Sequence, residues 1–130
     1  MASNCPTEYQ ECEVFHRYLE MKGIPHTHIG NESQLGGRAG IIRGARLKAI
    51  GQSKGFPDYL LFPMTKNYDQ RIPVAIEMKR CKGGAISAAQ KWWIETLGEA
   101  GFHCAVCHGA SEAIKFVESL LSAGVIDASA

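Results

Sequence analysis

Residues 74–79 read VAIEMK, an apolar run in which large side chains alternate with small or charged ones. Successive side chains of an extended strand point to opposite faces. Val74, Ile76 and Met78 would therefore face one side, while Glu77 and Lys79 would share the other. This composition predicts a buried strand that carries a carboxylate and an amine on one face.

The segments on either side of this run predict an α/β domain with a mixed central sheet flanked by helices. Further strands are expected at residues 24–29, 58–63 and 102–108, and helices at residues 7–22, 87–100 and 111–122. Pro25 places the first strand at an edge of the sheet, because proline cannot donate to a strand ladder. The 130 residues are enough for one core, so we expect a single domain over residues 1–130.

Residues 30–57 are rich in glycine and predict a long loop with one short helical piece around residues 41–50. Long loops in compact domains are usually functional or mobile. Between residues 33 and 57 the chain carries five bases and no acid. These five bases, which could contact the phosphates of DNA, are Arg38, Arg43, Arg46, Lys48 and Lys54.

The formal net charge of +1 conceals a strong asymmetry along the chain. Residues 38–91 hold eleven bases and three acids, whereas the segments before and after them are acidic. A central basic block is a candidate electrostatic footprint for nucleic acid.

Neither a membrane segment nor a secretory signal is predicted. The chain has no apolar run near the eighteen residues that a transmembrane helix needs, and its first residues lack a signal-peptide pattern. We therefore expect a cytoplasmic protein. The five cysteines are then expected as free thiols, and disulfides are not expected to hold the fold. Cys104 and Cys107, which precede His108, are interpreted as a buried thiol pair in a strand rather than a haem or redox motif.

The chemistry-bearing residues are spread over two strands and the helix that follows. Asp58 begins one strand and Glu77 lies on the next, so the two carboxylates can bind a hard cation such as Mg²⁺. Lys79 would lie beside a metal-activated water and stabilise charge in phosphodiester hydrolysis. Gln90 occupies the fourth position of a capping box that begins at Ser87, so the residues alone leave open a structural or a site role for it.

The sequence resembles a known family over nearly its whole length. It is similar to the virus-type replication-repair nuclease (VRR-NUC) domain, a branch of the PD-(D/E)xK nuclease superfamily. The resemblance rests on Asn31-Glu32, residues 55–60 (GFPDYL), residues 76–79 (IEMK) and residues 85–94 (AISAAQKWWI), with Leu97 and Gly101 beyond them.

The resemblance implies a restriction-endonuclease-like core and a role for each matching residue. Asp58 and Glu77 would be metal ligands, Lys79 the catalytic lysine and Gln90 an active-site helper. A further carboxylate would come from the first helix, with Glu8 favoured as catalytic residue and metal ligand and Glu11 as the alternative. Both acids also suit the first turn of a helix for reasons of dipole alone. The implied cofactor is Mg²⁺ or Mn²⁺.

Short standalone members of the family act on branched DNA as homodimers, in the manner of Holliday-junction resolvases, and are often phage-encoded. The resemblance thus implies a DNA endonuclease of this kind, connected with DNA repair and located in the bacterial host cytoplasm if the protein is phage-encoded. One alternative is a non-catalytic DNA-binding module with the same fold. Another is a cytosolic thiol-redox protein that uses Cys104 and Cys107.

Overall fold

A computed structural model describes residues 5–30 and 37–127 of the chain. The helices are α1 (Glu8–Met21), α2 (Gly37–Ala49), α3 (Ala88–Glu99) and α4 (Ala110–Ser122). The strands are β1 (His26–His28), β2 (Tyr59–Leu61), β3 (Val74–Lys79) and β4 (His103–His108). The Asn31-Glu32 pair lies outside the described residues. None of the helices in these two ranges has the length and apolar content needed to cross a bilayer.

The four strands form one mixed sheet in the order β1-β2-β3-β4. β1 pairs with β2 and β2 with β3 in antiparallel register, whereas β3 and β4 are parallel. The parallel pair requires a crossover, and α3 provides it. The α/β class, the mixed sheet and the edge position of β1 are confirmed.

The core lies between the sheet and the pair α1 and α4. Val74, Ile76 and Met78 of β3 are fully buried against these helices, together with Phe15 of α1 and Val117 of α4. Each such side chain contributes about 1.5–3 kcal/mol through burial. This face of β3 is therefore firmly anchored, which fixes the opposite face that carries Glu77 and Lys79.

Helix α2 is longer and begins earlier than the short helical piece expected at residues 41–50. It spans 13 residues, all of them described, and none is buried. Three glycines occupy it, but each costs only about 1 kcal/mol relative to alanine, and the Ala, Leu, Arg and Lys residues between them favour helix. A solvent-exposed basic helix thus replaces much of the expected loop.

The expectation that no disulfide holds the fold is wrong for one pair of cysteines. Cys5 and Cys81 form a disulfide across a sequence separation of 76 residues. Cysteine number and assumed compartment carry no information on such a contact, because folding alone brings the arm before α1 to the end of β3. Cys12, Cys104 and Cys107 are free thiols, as expected.

Candidate active site

Strands β2 and β3 bring Asp58 beside Glu77. Tyr59 pairs with Ile76 across the two strands, so Asp58, one residue earlier, lies next to Glu77. The Asp58 Oδ2 atom accepts a hydrogen bond of 2.8 Å from the Met78 backbone N–H, which aims this carboxylate at β3. The result is a pair of neighbouring carboxylates at one end of the sheet.

Both carboxylates are partly desolvated, and the charge of Asp58 also acts on Glu77. Burial, and after it the negative charge of Asp58, raise the pKa of Glu77 to about 8. Burial also raises the pKa of Asp58, although the Met78 N–H opposes this shift. A proton or a cation between the two groups would relieve both the desolvation and the repulsion.

Glu77 holds an oxygen atom that its surroundings do not satisfy. The residue is only 5% exposed. Its Oε2 atom accepts a hydrogen bond from Gln90 Nε2 at 3.0 Å. Its Oε1 atom is the one buried side-chain oxygen or nitrogen that lacks a hydrogen-bond partner within residues 5–30 and 37–127. A buried oxygen left in this state calls for an explanation, and a missing cation ligand is one.

The Lys79 ammonium is held above the same carboxylate. Its Nζ atom donates a hydrogen bond of 2.9 Å to Gln90 Oε1 and lies 3.8 Å from Glu77 Oε2. Only 14% of the Lys79 side chain is exposed, so the charge acts in a partly desolvated setting. As predicted, Glu77 and Lys79 share one face of β3.

Gln90 combines the two roles that the sequence left open. Its backbone N–H donates to Ser87 Oγ at 3.1 Å, and its Oε1 atom accepts from the Ser87 backbone N–H at 2.9 Å. This is a complete capping box at the start of α3. The same side chain contacts Lys79 and Glu77, so one residue begins the helix and joins the polar network.

Gly55 allows the loop before β2 to pack directly on the start of α3. A Cβ atom at this position would lie 2.6 Å from the Ala89 carbonyl carbon and 2.7 Å from the Gln90 nitrogen. The backbone φ of Gly55 is +86°, which also favours glycine. Phe56 follows and packs edge-on against Trp93 of α3, with ring centroids 5.0 Å apart. The Gly-Phe-Pro-Asp motif thus positions Asp58 relative to Gln90.

The structure separates the two acids proposed from the first helix. Glu8 lines the same cleft as Asp58, Glu77, Lys79 and Gln90, a cavity of about 220 Å³. Glu11 is buried elsewhere, where its Oε1 atom accepts a hydrogen bond of 3.1 Å from the Ala110 backbone N–H. This bond satisfies the first N–H group of α4. Glu8 is therefore the acid placed at the cleft, and Glu11 has a structural contact.

His28 is a cleft residue that sequence reasoning did not select. It lines the cavity beside Asp58, and its positive charge when protonated lowers the pKa of that carboxyl. The His28 ring also packs edge-on against Tyr59 at 5.0 Å. The sequence predicts that His28 lies near the end of an edge strand. Only the structure shows that this strand pairs with β2, which places His28 beside Asp58.

Two of the five basic residues selected from the sequence line a groove next to the cleft, and the other three are exposed on α2. Arg38, Arg43 and Arg46 are exposed along α2. Lys48 and Lys54 line a groove of about 660 Å³ between α2, residues 52–54 and Ala89 of α3. Because Ala89 precedes Gln90, this groove adjoins the cleft at the start of α3.

The cysteines of β4 do not form a reactive pair. Burial raises the pKa of Cys107 to about 12 and also raises the pKa of Cys104. A thiol with a raised pKa is a poor nucleophile at neutral pH. The structure therefore favours the interpretation of these residues as packed thiols over a redox motif.

Comparison with known proteins gives one family and one fold. A model of the VRR-NUC domain family matches residues 8–111. A solved structure named VRR_NUC domain protein is similar to the chain with a TM-score of 0.71 and 19% identity. The similarity covers 95% of this chain and 93% of that one, and at this identity it speaks for the fold alone. No protein of curated function matches the chain.

Proposed function

The chain belongs to the VRR-NUC domain family, and from this we propose that it is a metal-dependent endonuclease that hydrolyses phosphodiester bonds in branched DNA. The membership shows a nuclease-type domain. The catalytic activity, the metal and the preferred DNA structure are our proposals.

One observation supports the proposal above the others. The buried Glu77 Oε1 atom has no hydrogen-bond partner among the described residues, and it lies beside a second carboxylate whose pKa is also raised by burial. A hard divalent cation takes oxygen ligands of this kind. Asp58 and Glu77, with Glu8 at the rim of the cleft, are the residues that would hold Mg²⁺ or Mn²⁺.

The remaining side chains have roles that follow from their contacts. When bound, a divalent cation supplies Lewis acidity at the phosphoryl group and a lowered pKa for water. Lys79 offers an ammonium to orient the nucleophile and to stabilise negative charge in the transition state. Gln90 fixes the Lys79 amine and the Glu77 carboxylate in one geometry, which lowers the entropic cost of reaching that transition state.

The basic groove beside the cleft is suited to a DNA backbone. Lys48 and Lys54 line it, and α2, which forms one side of it, carries three further exposed arginines. Such contacts bind phosphates without regard to sequence, which fits recognition of a DNA structure rather than a base sequence. A groove that adjoins the cleft would guide the scissile strand towards Asp58.

The finer features of the function rest on the resemblance to short family members. We propose a homodimer as the working unit, since two symmetric cleavage sites would meet two strands of a junction. A role in DNA repair, a phage origin and a cytoplasmic location belong to the same proposal.

The test is cleavage of labelled DNA by purified protein. Four-way junctions and linear duplex are incubated with Mg²⁺ or with EDTA, and we expect scission of the junction in Mg²⁺ alone. Asp58→Ala should lower the rate by roughly 100-fold or more. Asp69→Ala is the matched control, because Asp69 is an exposed acid that accepts a hydrogen bond from Thr65 Oγ1 away from the cleft.

The same experiment separates the nuclease from a DNA-binding module. A binder would show salt-dependent affinity for the junction and no scission with any divalent ion. Undiminished cleavage by Asp58→Ala would contradict the proposed mechanism.

A further inference from the structure

The disulfide between Cys5 and Cys81 joins two segments that both lead into the cleft. Cys5 lies three residues before Glu8, and Cys81 lies two residues after Lys79. The side chains of Glu8 and Lys79 line the same cavity. One covalent bond therefore links the arm before α1 (residues 5–7), which leads into Glu8, to residues 80 and 81, which follow Lys79.

Weaker contacts accompany this bond. Arg80 donates hydrogen bonds to the Cys5 and Pro6 carbonyl oxygens at 3.2 Å and 3.4 Å. Arg80 and Pro6 are exposed, so water competes for these bonds, and their net contribution is modest. The disulfide is the stronger restraint on the arm.

The rest of α1 is held independently of the arm. Phe15 and Leu19 are fully buried in the core. Tyr59 Oη donates a hydrogen bond of 3.1 Å to the Cys12 carbonyl oxygen. Glu11 is held as well, because its carboxylate accepts a hydrogen bond from the buried Ala110 N–H. Opening the disulfide would therefore loosen residues 5–8, including Thr7 and Glu8, while Glu11 and the rest of the helix stay docked.

We propose that the Cys5–Cys81 disulfide is a reversible thiol switch that fixes the start of α1, and with it Glu8, at the cleft. Cys81 is exposed and Cys5 half-buried, so a dithiol can reach the bond. In the reduction, one thiolate of the dithiol attacks a sulfur of the disulfide, and its second thiolate resolves the mixed disulfide. The dithiol is oxidised to its own disulfide, and two electrons and two protons pass to Cys5 and Cys81.

The structural part of the proposal is tested without reference to activity. Under non-reducing, denaturing conditions iodoacetamide should modify three cysteines, namely Cys12, Cys104 and Cys107, and after reduction all five. Hydrogen exchange should become about ten-fold faster on reduction at the Glu11 amide, which donates to the Thr7 carbonyl, and stay unchanged at Leu19.

Variants separate the disulfide from other effects of the reductant. Cys5→Ser and Cys81→Ser should exchange rapidly at Glu11 even without reductant. Cys104→Ser, which removes a free thiol from β4, should respond to reductant as the native protein does. Five modified cysteines before reduction, or equal protection of Glu11 before and after it, would overturn the switch.

A metal site is the competing interpretation of the same atoms. The Cys5 and Cys81 sulfurs and a Glu11 carboxylate oxygen lie within 4.8 Å of one another. The exchange measurements are therefore made in EDTA and repeated with Zn²⁺ added to the reduced protein. Restored protection by Zn²⁺ with both thiols reduced would replace the switch with a metal site.

The expected effect of disulfide reduction on DNA cleavage rests on the proposed nuclease function. If Glu8 is a metal ligand, reduction should raise the Mg²⁺ concentration needed for half-maximal cleavage several-fold in the native protein and leave it unchanged in Glu8→Ala. An equal shift in both proteins would overturn the link to Glu8. If no condition gives cleavage, the nuclease proposal fails, whereas the modification and exchange results still decide the switch.

Discussion

The Lys79 ammonium donates a hydrogen bond of 2.9 Å to the side-chain oxygen of Gln90. The same oxygen accepts from the Ser87 backbone N–H, so the start of α3 and the amine of β3 share one acceptor. The position of the Lys79 amine is thereby tied to where α3 begins. This coupling allows the structural and functional contributions of Gln90 to be measured separately.

Gln90→Ala and Ser87→Ala should destabilise the protein alike and differ in activity. Each removes one half of the capping box, at a cost of about 0.5–2 kcal/mol. Gln90→Ala also releases Lys79 and Glu77, and we expect cleavage to fall by about 10–100-fold. Ser87→Ala keeps both contacts and should retain most of its activity. Chemical denaturation and single-turnover cleavage give the two measurements, and equal losses of activity would assign Gln90 to the cap alone.

Substitution of the two acids of α1 should separate stability from activity, since Glu11 contributes to stability and Glu8 to activity. Glu11→Ala leaves the buried Ala110 N–H without its acceptor, which costs about 1–3 kcal/mol of unfolding free energy. Glu8→Ala removes an exposed acid from the first helical turn and should cost only about 0.3–1 kcal/mol. Mg²⁺-dependent cleavage should instead fall in Glu8→Ala to a low rate that is still measurable at high Mg²⁺, and it should be kept in Glu11→Ala below the melting temperature of that variant. The reverse pattern in both measurements would place the metal ligand at Glu11.

The residues of the cleft also show which features of the site could be predicted from the sequence alone. The period-two pattern of residues 74–79 correctly placed Glu77 and Lys79 on one face, and the spacing from Ser87 to Gln90 correctly gave the start of α3. Both are local patterns that span a few residues. Spacing along α1 could not separate Glu8 from Glu11, because the answer depends on Ala110, 99 residues beyond Glu11.

Two of the remaining differences between expectation and structure also depend on contacts between distant segments, and one depends on local residue preferences. The Cys5–Cys81 bond and the place of His28 beside Asp58 depend on which segments fold together. The length of α2 was underestimated because its glycines suggested loop, although its other residues favour helix. Only the family resemblance, which summarises many related structures, brought Asp58 and Gln90 into one site before the fold was known.

Metal-free protein should become less stable as pH rises through the range in which Glu77 ionises. The pKa of Glu77 is about 8 in the folded state and near 4.5 when unfolded, so between these values the folded state binds more protons. Unfolding free energy then falls with rising pH, and below about pH 4.5 the contribution of Glu77 is fully retained. Melting in EDTA from pH 4 to pH 9 should show this loss.

Glu77→Gln should flatten that dependence, since the amide stays neutral throughout. Glu99→Gln, at the end of α3, is the control acid and should leave the slope unchanged. Added Mg²⁺ should stabilise the native protein more at pH 9 than at pH 5, because the proton then no longer competes for the carboxylates. A native slope equal to that of Glu77→Gln would show that Glu77 is ionised across the whole range.

Gly55→Ala should disturb the site through the backbone. The added methyl would meet the α3 backbone at 2.6 Å at a φ of +86°, for a cost of roughly 2–4 kcal/mol. The relaxed structure would shift the start of α3, so cleavage should fall at temperatures where the variant is still folded. Gly98→Ala is the control, since a Cβ there meets nothing within 4 Å and should stabilise α3 by up to about 1 kcal/mol. Equal stabilities of the two variants would show that the contact between residue 55 and α3 is not tight.

Lysines of the groove should determine how steeply DNA binding depends on salt. Each phosphate contact to duplex DNA contributes about 0.9 to the slope of log affinity against log salt concentration, because binding releases condensed counterions. Lys48→Gln and Lys54→Gln, each at the groove between α2 and α3, should lower that slope by about this amount. Lys115→Gln is the control and should leave the slope unchanged. Lys115 is an exposed lysine of α4, which packs on the other face of β3. Fluorescence anisotropy of junction DNA in EDTA gives the slopes without cleavage. If all three variants kept the slope of the native protein, the groove would not bind the DNA backbone, even if the cleft cleaved DNA.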